Sequence, residues 1–566
     1  MKKIILLTIM AIVLICGQSN AAEYIPPAGI TAPSFGIEET YRIYDIPANR
    51  NSSLTYNQNV EGGYYTHYID NTNSNATDTD NLYGTATVPR LTIPTTLEEG
   101  SVVELHGGPY AETSGDHGQP YLVASGSKEK PIFVKGYNNE NKTEFNDYFR
   151  FRGSYIIVEN IIFKGEYPAG LTIMAPCNHI SVRKTEVTGL NHINQGNTFS
   201  LSPSGDDTVD FNENIVFYNN YFHDNGYPAA STEYLHNDFQ ISGNSREVWI
   251  LDNTLLNGSE DAIHVIYYHD AKFIPDGVYI GHNTIGHYTE NAIDVKPSRN
   301  VIISQNTFYG YKVADIPPDD GSDGSAVCFN YESGAPQGQT IENHYFIFNT
   351  VHNSNIGVRT EYNPVILGNQ FYDINTTAVR LNGNTTTIPA YIINNTILGA
   401  KYGIFHSRGA MFYAYNNILI NSSIGHIKYT TAGDRDIKNN LFLNPDGMVH
   451  VWVGGSGAKE YIGLTNLYES FKIKNCWEAV SDLISIDPNS TNFLKLKADS
   501  ISVDKGVITG PLEDVYNNFY NAFGINLPSI DIDGNLRPQG TTWDLGAYEY
   551  IGSTLPQIPT GLKIVK

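Results

Sequence analysis

The sequence predicts an all-β fold, a single-stranded right-handed parallel β-helix or β-solenoid. A short pattern leads to this prediction: asparagine, then a β-branched or aromatic residue, then an apolar one. Most copies lie roughly 20–33 residues apart, which is the spacing of solenoid coils. Between them lie short strand-like runs such as VWIL, VYIG and VIIS, with no helical period.

Ten asparagines carry the pattern, and we predict that they stack at one corner of the solenoid, each bonding its own kind in the next coil. They are Asn160, Asn220, Asn253, Asn283, Asn306, Asn349, Asn369, Asn395, Asn417 and Asn440. An antiparallel sandwich and a propeller are the alternatives. Two-residue turns of the kind that connect β-hairpins are scarce, which disfavours the sandwich. The repeat is shorter than a propeller blade, which disfavours the propeller.

The two ends of the chain differ from the repeats. Residues 1–22 combine a basic start, a short apolar run and small residues, which is typical of a signal peptide cleaved near Ala21 or Ala22. We therefore expect a secreted protein. Residues 23–84, rich in Asn, Thr and Tyr, are predicted to cap the solenoid, which would span 85–550 and end in closing strands. Residues 551–566 read as a linker or tail.

Composition limits the partners. The formal net charge of −24 argues against nucleic acid, whose phosphates need a basic surface. An acidic substrate would have to meet a local basic patch or bound cations. Beyond the leader, no run is long and apolar enough to span a membrane, and Cys177, Cys328 and Cys476 allow at most one disulfide. We expect a monomer.

The strand after each asparagine turn can be aligned by its inward apolar pair. The aligned runs are DFQIS, AIHVI, AIDVK, AVCFN, GVRTE, AVRLN and GIFHS, beginning at Asp238, Ala262, Ala292, Ala326, Gly357, Ala378 and Gly403. Because strand side chains alternate, the third and fifth residues point outward. The third column is Gln240, His264, Asp294, Cys328, Arg359, Arg380 and Phe405, and the fifth is Ser242, Ile266, Lys296, Asn330, Glu361, Asn382 and Ser407. Because these two columns contain many ionisable groups, we predict that this face of the solenoid is a functional site.

More acidic residues precede these strands. Asp238, Glu260 and Asp261 lie at the bends that lead into the aligned runs, and DDGSDGS begins at Asp319 in the longest insertion. That insertion either forms one wall of a groove or is a solvated loop. Three carboxylates on adjacent coils of an acidic chain also predict a calcium site at Asp238, Asp261 and Asp294, with Glu260 as a further ligand.

Longer segments resemble a known group of proteins. The stretch LEEGSVVELHGGPYAE, the following SGSKEKPIFVKGY and the ending DIDGNLRPQGTTWDLGAYEY resemble the pectate-lyase-like superfamily of secreted polysaccharide lyases and related carbohydrate-active enzymes. The resemblance covers roughly residues 85–550. It implies a parallel β-helix that acts on an extended polysaccharide, while the motifs specify the reaction poorly.

The resemblance extends to a possible site. Calcium-dependent pectate lyases of this type place an aspartate before one strand, an acidic pair and a further ligand on the next coil, and a lysine base on a following coil. NDFQ with Asp238, EDAIH with Glu260, Asp261 and His264, and ENAIDVK with Lys296 are similar. His264 stands where an acid is expected, and the lysine falls two positions late, with Asp294 in the matching place.

Two reactions suit these residues. In β-elimination a base removes the proton alpha to a uronate carboxylate while positive charge stabilises the enolate-like transition state. Lys296, His264, Arg359 and Asp294 are the predicted catalytic residues, and Arg380, Glu361, Asn330 and Gln240 the predicted substrate-binding residues. A neighbouring carboxylate stabilises a protonated amine, so Lys296 would be a poor base unless a cation occupied Asp294. A salt bridge remains its alternative.

Other functions stay open. A glycoside hydrolase could use paired carboxylates from Asp238, Asp261 and Asp294. A non-catalytic surface protein could bind carbohydrate through some of the 39 tyrosines, although aromatic residues more often stack inside solenoids. The predicted partner is in each case a polysaccharide. We favour calcium-assisted elimination from an acidic, uronic-acid-containing polymer.

Overall fold

A computed structural model describes most of the chain. The described residues are 24–37, 50–59, 63–110, 122–138, 142–165, 170–190, 196–203, 209–225, 236–267, 271–312, 322–331, 335–336, 338–362, 364–383, 389–407, 411–429, 435–443, 450–453, 459–462 and 473–552. The predicted signal peptide, Asp319 and Asp320 of the long insertion, and most of the predicted tail lie outside these ranges.

The chain coils through three parallel sheets, here named A, B and C, and each coil visits them in the order B, A, C. Strand pairs from successive coils lie in register, as in His236–Ile241 with Ile263–Val265 of sheet B and Ser245–Leu251 with Asp276–Gly281 of sheet A. The architecture is that of a parallel β-helix, which confirms the predicted fold class. The segment Pro511–Phe523 is the helix of the C-terminal part.

Four long strands turn a corner and belong to two sheets. Tyr148–Glu159 and Gly170–Arg183 run from sheet B into sheet A, and Thr350–Thr360 and Gln370–Leu381 run from sheet C into sheet B. The other strands of sheet A are His67–Asp70, Val102–His106, Ile132–Gly136, Asn212–Tyr218, Ser245–Leu251, Asp276–Gly281, Arg299–Ser304, Glu342–Ile347, Val365–Leu367, Ala390–Ile393, Phe412–Tyr415, Arg435–Lys438 and Ile473–Lys474.

The remaining strands complete the other two sheets. Sheet B adds Thr96–Leu97, Leu122–Ser125, Gly196–Ser202, His236–Ile241, Ile263–Val265, Ile293–Val295, Ser325–Phe329, Tyr402–His406, Gly425–Tyr429 and His450–Val453. The last of these pairs antiparallel with Lys459–Ile462. Sheet C adds Thr143–Phe145, Ile161–Lys164, Glu186–Thr188, Tyr221–His223, Thr254–Leu256, Thr284–Gly286, Thr307–Tyr309, Thr396–Leu398, Ile418–Ile420, Leu441–Leu443 and Trp477–Ala479. Asn57–Gln58 and Tyr64–Tyr65 form a separate antiparallel pair.

An asparagine ladder fixes the corner between sheets A and C. Nine of the ten predicted asparagines, from Asn220 to Asn440, form this ladder. At each step, Nδ2 of one asparagine donates a hydrogen bond to Oδ1 of the asparagine on the next coil. The prediction is wrong for Asn160, which adopts a φ of 56° one position earlier in its turn. On the coil after Asn160, Thr185 takes the ladder position and bonds Asn220 Oδ1.

We expect Asn306→Ala to lower the free energy of unfolding by about 2–4 kcal/mol. Asn306 Nδ2 donates to Ile280 and Asn349, and its Oδ1 accepts two bonds from Asn283. Alanine would leave those buried partners unpaired, at about 1–3 kcal/mol per group. Urea denaturation measures the change. Asn160→Gly is the control, since glycine tolerates the positive φ; an equal loss in both variants would contradict the ladder's role.

Apolar layers cover the outside of sheets A and C. The helix Pro511–Phe523 packs Leu512, Val515 and Phe519 on sheet A, in a cluster that includes Ile347 and Tyr391. Leu494 and Leu545 belong to a second cluster, which covers the C-terminal strands of sheet C. Among the described residues, neither cluster includes the outward columns of sheet B, so polar side chains remain on that face.

The N-terminal segment adds to the layer on sheet A. Tyr24 donates to Asp252, Ala28 bonds Gln305 and Ser304, and Thr31 accepts from Trp249. Residues 24–37 therefore lie along the side of the solenoid, whereas the sequence predicted a cap at its end. His67–Asp70, from the same predicted segment, is already a strand of the parallel sheet.

Two composition-based expectations can be compared with the structure. Cys177, Cys328 and Cys476 are free thiols, in line with a fold that does not depend on disulfides. Within the described ranges, no helix is long and apolar enough to cross a membrane.

Candidate functional site

The predicted outward column of sheet B is present in full. Gln240, His264 and Asp294 are register partners on successive coils, followed by Cys328, Arg359, Arg380 and Phe405. The flanking Ile263, Val265, Ile293 and Val295 are fully buried inside the solenoid. The alignment drawn from the sequence is confirmed. We call this set the sheet B column.

Asp294 lies at the centre of the column. Its Oδ2 is 3.7 Å from Lys296 Nζ and 3.9 Å from His264 Nε2. Its Oδ1 accepts a hydrogen bond of 2.7 Å from Asn330 Nδ2. Although Asp294 points outward, the residue is 4% exposed, because these neighbours surround it. The structure thus brings together three of the predicted catalytic residues, Lys296, His264 and Asp294.

His264 has an unusual environment for a histidine. The residue is 5% exposed, and neither of its ring nitrogens makes a hydrogen bond. Burial, with a smaller contribution from the Lys296 ammonium, lowers the pKa of His264 to about 3. The imidazole is therefore neutral at ordinary pH. Most buried polar groups have a partner, so this ring requires an explanation.

Acidic residues lie beside His264, at the bends before the strands. Asp261 Oδ1 accepts bonds from the Asn291 amide, at 3.2 Å, and from Asn291 Nδ2, at 2.8 Å. Burial raises the pKa of Asp261 well above its usual range, and Glu290, Asp294 and Glu260 raise it further. A positive charge placed among these carboxylates would relieve their mutual repulsion.

Two groups of side chains could each hold a metal ion. One consists of Asp261, His264 and Asp294, and the other of Glu260, Asp261 and Glu290; within each group one ligand atom per residue lies within 4.8 Å of the others. Asp261 belongs to both. The predicted calcium ligands Glu260, Asp261 and Asp294 are thus divided between two groups.

Asp238, the remaining predicted calcium ligand, is not brought to either group. Its carboxylate accepts hydrogen bonds from the Tyr288 hydroxyl, from Asn225 Nδ2 at 3.1 Å and from Thr198 Oγ1 at 3.3 Å. Tyr288 belongs to the solenoid's interior cluster, so Asp238 is held in the interior wall. The structure therefore corrects its inclusion among the metal ligands.

We expect Asp238→Asn to change how stability depends on pH. Burial raises the pKa of Asp238 from 3.8 to about 7. Between those pH values the folded chain holds a proton that the unfolded chain has lost. The free energy of unfolding therefore contains the full contribution of protonated Asp238 below about pH 4. This contribution declines, by on the order of 4 kcal/mol, as the pH rises toward about 7.

Thermal melts from pH 4 to pH 8 measure this dependence. The wild-type melting temperature should fall relative to that of Asp238→Asn as pH rises, and the difference should level off above about pH 7. Exposed Asp487→Asn is the control, and its melting temperature should follow the wild type. A constant difference between wild type and Asp238→Asn across the range would show that Asp238 does not titrate as described.

Arg359 and Arg380 converge on one carboxylate. Asp323 Oδ2 lies 3.4 Å from Nη1 of each arginine. Arg359 Nη2 also donates to Asn330, and Arg380 Nε donates to Asn382, both at 3.3 Å. The column therefore contains a place where two guanidinium groups meet a single carboxylate oxygen, next to the Asn330–Asp294 contact.

The other predicted substrate-binding residues take different positions. Glu361 Oε2 accepts a bond from the Tyr331 amide at 3.0 Å, while Arg359 pairs with Asp323. Gln240 Nε2 donates to Ser242 at 3.1 Å, at the far side of His264. Asn330, in contrast, connects Arg359 to Asp294 directly.

Sequence reasoning did not assign Glu290, Asn291 or Asp323 to the site. A signal for the first two exists, because the runs EDAI and ENAI align and place Glu290 and Asn291 on the coil that follows Glu260 and Asp261. Asp323 belongs to the acidic insertion whose role stayed open. Its position against two arginines depends on how the loop closes, and no periodic pattern predicts that.

Calcium, which the resemblance implies, can be compared with the donors present. Calcium takes oxygen ligands and disfavours imidazole. The group of Asp261, His264 and Asp294 therefore does not suit calcium. The group of Glu260, Asp261 and Glu290 offers three carboxylates, and its donor chemistry fits calcium.

The similarities of this chain to known proteins are distant. The sequence matches no family model and no curated protein. Among solved structures, the pectate lyase Pel9A is 14% identical, covers 85% of this chain and 96% of its own, and has a TM-score of 0.35. The GH87 α-1,3-glucanase of Streptomyces thermodiastaticus is 12% identical, with coverages of 68% and 64% and a TM-score of 0.35. An alginate lyase from Paenibacillus sp. is 14% identical, with coverages of 50% and 89% and a TM-score of 0.29. The similar structures thus include both polysaccharide lyases and glycoside hydrolases.

Proposed function

We propose that this chain is an exported polysaccharide lyase that cleaves an acidic, uronic-acid-containing polysaccharide by β-elimination. One observation carries the proposal. Arg359 and Arg380, in the sheet B column, share a single carboxylate oxygen of Asp323, and Lys296 contacts Asp294 of the same column. A carboxylate site beside a candidate base is what elimination from a uronate requires.

The two arginines take the substrate carboxylate in this proposal. Arginine presents a planar set of donors that matches a carboxylate. Asp323 now occupies the position of the uronate carboxylate, and it would give up this contact when substrate binds. The charge of the arginines stabilises the enolate-like anion that forms when C5 loses its proton.

Lys296 is the proposed base. Its side chain is 18% exposed, so the ammonium is reachable from the open face of sheet B, whereas Asp294 behind it is not. A cation bound at Asp294 would release the ammonium from this carboxylate and favour the unprotonated amine. That amine takes the proton from C5, the electron pair of the C5–H bond forms the C4–C5 double bond, and the C4–O bond breaks. The departing sugar oxygen takes a proton from water. Asp294 and Asn330 hold Lys296 and Arg359 in their relative positions.

Calcium belongs to the proposal as a bound cofactor of Glu260, Asp261 and Glu290. It would supply positive charge near a polyanionic substrate, in a chain whose own net charge is −24. Asp238 has no part in this assignment. Removal of calcium should therefore weaken substrate binding more than it changes the fold of the solenoid.

Glycoside hydrolysis is the second candidate function. One observation favours it: Asp261, whose pKa is raised well above the usual range, lies close to Asp294, and such a pair could serve as acid and base. Asp261 is only 2% exposed, however, which hinders contact with a glycosidic oxygen. We therefore rank hydrolysis below elimination.

A polysaccharide panel tests the proposal. The purified chain is incubated with pectate, alginate, glycosaminoglycans and neutral glucans, with and without chelator, while ultraviolet absorbance and reducing ends are followed. We expect absorbance to rise with an acidic polymer only, because elimination creates a conjugated double bond. New reducing ends without absorbance would support the hydrolase instead, and no cleavage of any polymer would favour a binding protein.

A further inference from the structure

The unpartnered histidine and the two aspartates beside it are a second place where a cation could bind. His264 Nε2 and Asp294 Oδ2 are 3.9 Å apart, which is too long for a hydrogen bond. Two metal–ligand bonds of ~2.0–2.2 Å each can bridge that distance. Asp261 completes the set, with one ligand atom within 4.8 Å of those of the other two residues.

The histidine supplies evidence independent of the acidic cluster. Both of its ring nitrogens lack a hydrogen bond, although the residue is only 5% exposed. A buried imidazole in a structural role normally donates from one nitrogen or accepts at the other. Here Nε2 lies 3.9 Å from Asp294 Oδ2 and does not bond it, which is the arrangement that a metal ion between them would complete.

Each aspartate is held by an asparagine through one oxygen. Asn330 donates to Asp294 Oδ1, and Oδ2 is the oxygen that faces His264 and Lys296. The bonds from Asn291 to Asp261 both go to Oδ1. Hydrogen bonds of this kind orient carboxylate ligands in metal sites. In both residues the asparagine bonds go to Oδ1, and in Asp294 it is Oδ2 that faces His264.

We propose that Asp261, His264 and Asp294 bind a first-row transition-metal dication of the zinc class. Imidazole is a common ligand of zinc, iron, cobalt and nickel and a poor one for calcium. Three protein ligands leave a coordination position for water or substrate, as in catalytic zinc sites. Asp261 is shared with the carboxylate group of Glu260 and Glu290, so two cations of different kinds would lie side by side. This proposal depends on the geometry of the three residues and not on the lyase activity.

Metal binding to the full-length mature chain, without an affinity tag, tests it. The protein is stripped with chelator and titrated with Co²⁺ in the presence of excess Ca²⁺, and visible absorption and metal content after dialysis are recorded. We expect one Co²⁺ per chain, with absorption bands of a protein-bound ion, and displacement by Zn²⁺ but not by Ca²⁺. His264→Gln should lower the affinity for Co²⁺ at least ~100-fold, since even residues that only support a ligand cost 10–100-fold.

A matched variant separates the two sites. Glu290→Gln should weaken calcium binding while retaining Co²⁺, because Glu290 belongs only to the carboxylate group. If His264→Gln does not fold, X-ray absorption of the wild-type Co²⁺ complex still reports whether an imidazole nitrogen is bound. A wild-type chain that binds no Co²⁺, that loses it to Ca²⁺, or whose His264→Gln variant binds it unchanged would overturn the proposal. None of these outcomes depends on finding a substrate.

Discussion

Lys296→Ala should lower turnover by about 10²–10⁴-fold while the fold remains intact, because this is the usual loss when a general base is removed. Lys296 contacts Asp294 at 3.7 Å and is partly exposed on the open face of sheet B. Lys296 is partly exposed but its partner Asp294 is buried, so the melting temperature should also fall, and turnover is compared at a temperature at which both proteins are folded. Turnover and melting temperature are measured on the same preparations.

A matched control is Lys164→Ala, an exposed lysine of sheet C that lies away from the column. That variant should keep wild-type turnover. If Lys296→Ala folds and turns over substrate at the wild-type rate, Lys296 is a surface charge and another residue takes the proton. If its melting temperature collapses together with its activity, the contact with Asp294 is structural.

Arg359→Gln should lower kcat/KM by about 10²–10³-fold on an acidic polymer, the range found when one donor that stabilises an oxyanion is removed. Glutamine keeps a donor for Asn330 but removes the charge that faces Asp323. On the same polymer with its uronates methyl-esterified, wild type and variant should differ much less. Kinetics on the two substrates give that ratio.

Arg246→Gln is the control for loss of a salt bridge alone, since Arg246 pairs with Glu213 on sheet A, away from the column. It should behave as wild type on both substrates. An equal loss for Arg359→Gln on the acidic and the esterified polymer would mean that Arg359 positions the loop at Asp323 and does not bind the substrate carboxylate.

The solenoid could be predicted because its coils repeat a local rule. The coils of this region repeat a ladder asparagine and a strand of alternating apolar and polar residues. Alignment of these repeats was therefore enough to predict the register of Gln240, His264, Asp294 and Arg359. Asn160 was misplaced because it takes the positive-φ position of its turn, as Asn219 does on a later coil, whereas the single asparagines of other turns, such as Asn283 and Asn306, take the ladder position. The repeat does not distinguish these two adjacent positions.

The site was predictable only where side chains belong to the repeat. Strand alternation placed Lys296 beside Asp294, but it could not show that Asp238 turns to Tyr288 in the interior. That choice depends on packing between coils that are 50 residues apart in sequence. Asp323 illustrates the second limit, because an insertion without period closes on Arg359 and Arg380 through loop geometry.

The central claim is that an acidic polysaccharide is cleaved by elimination at the sheet B column. The most direct test is to digest the best substrate of the panel in H₂¹⁸O and to determine product masses by mass spectrometry. Elimination should yield unsaturated products that carry no ¹⁸O and whose summed mass equals that of the intact polysaccharide. Saturated products with one ¹⁸O for each bond cleaved would contradict it and establish hydrolysis.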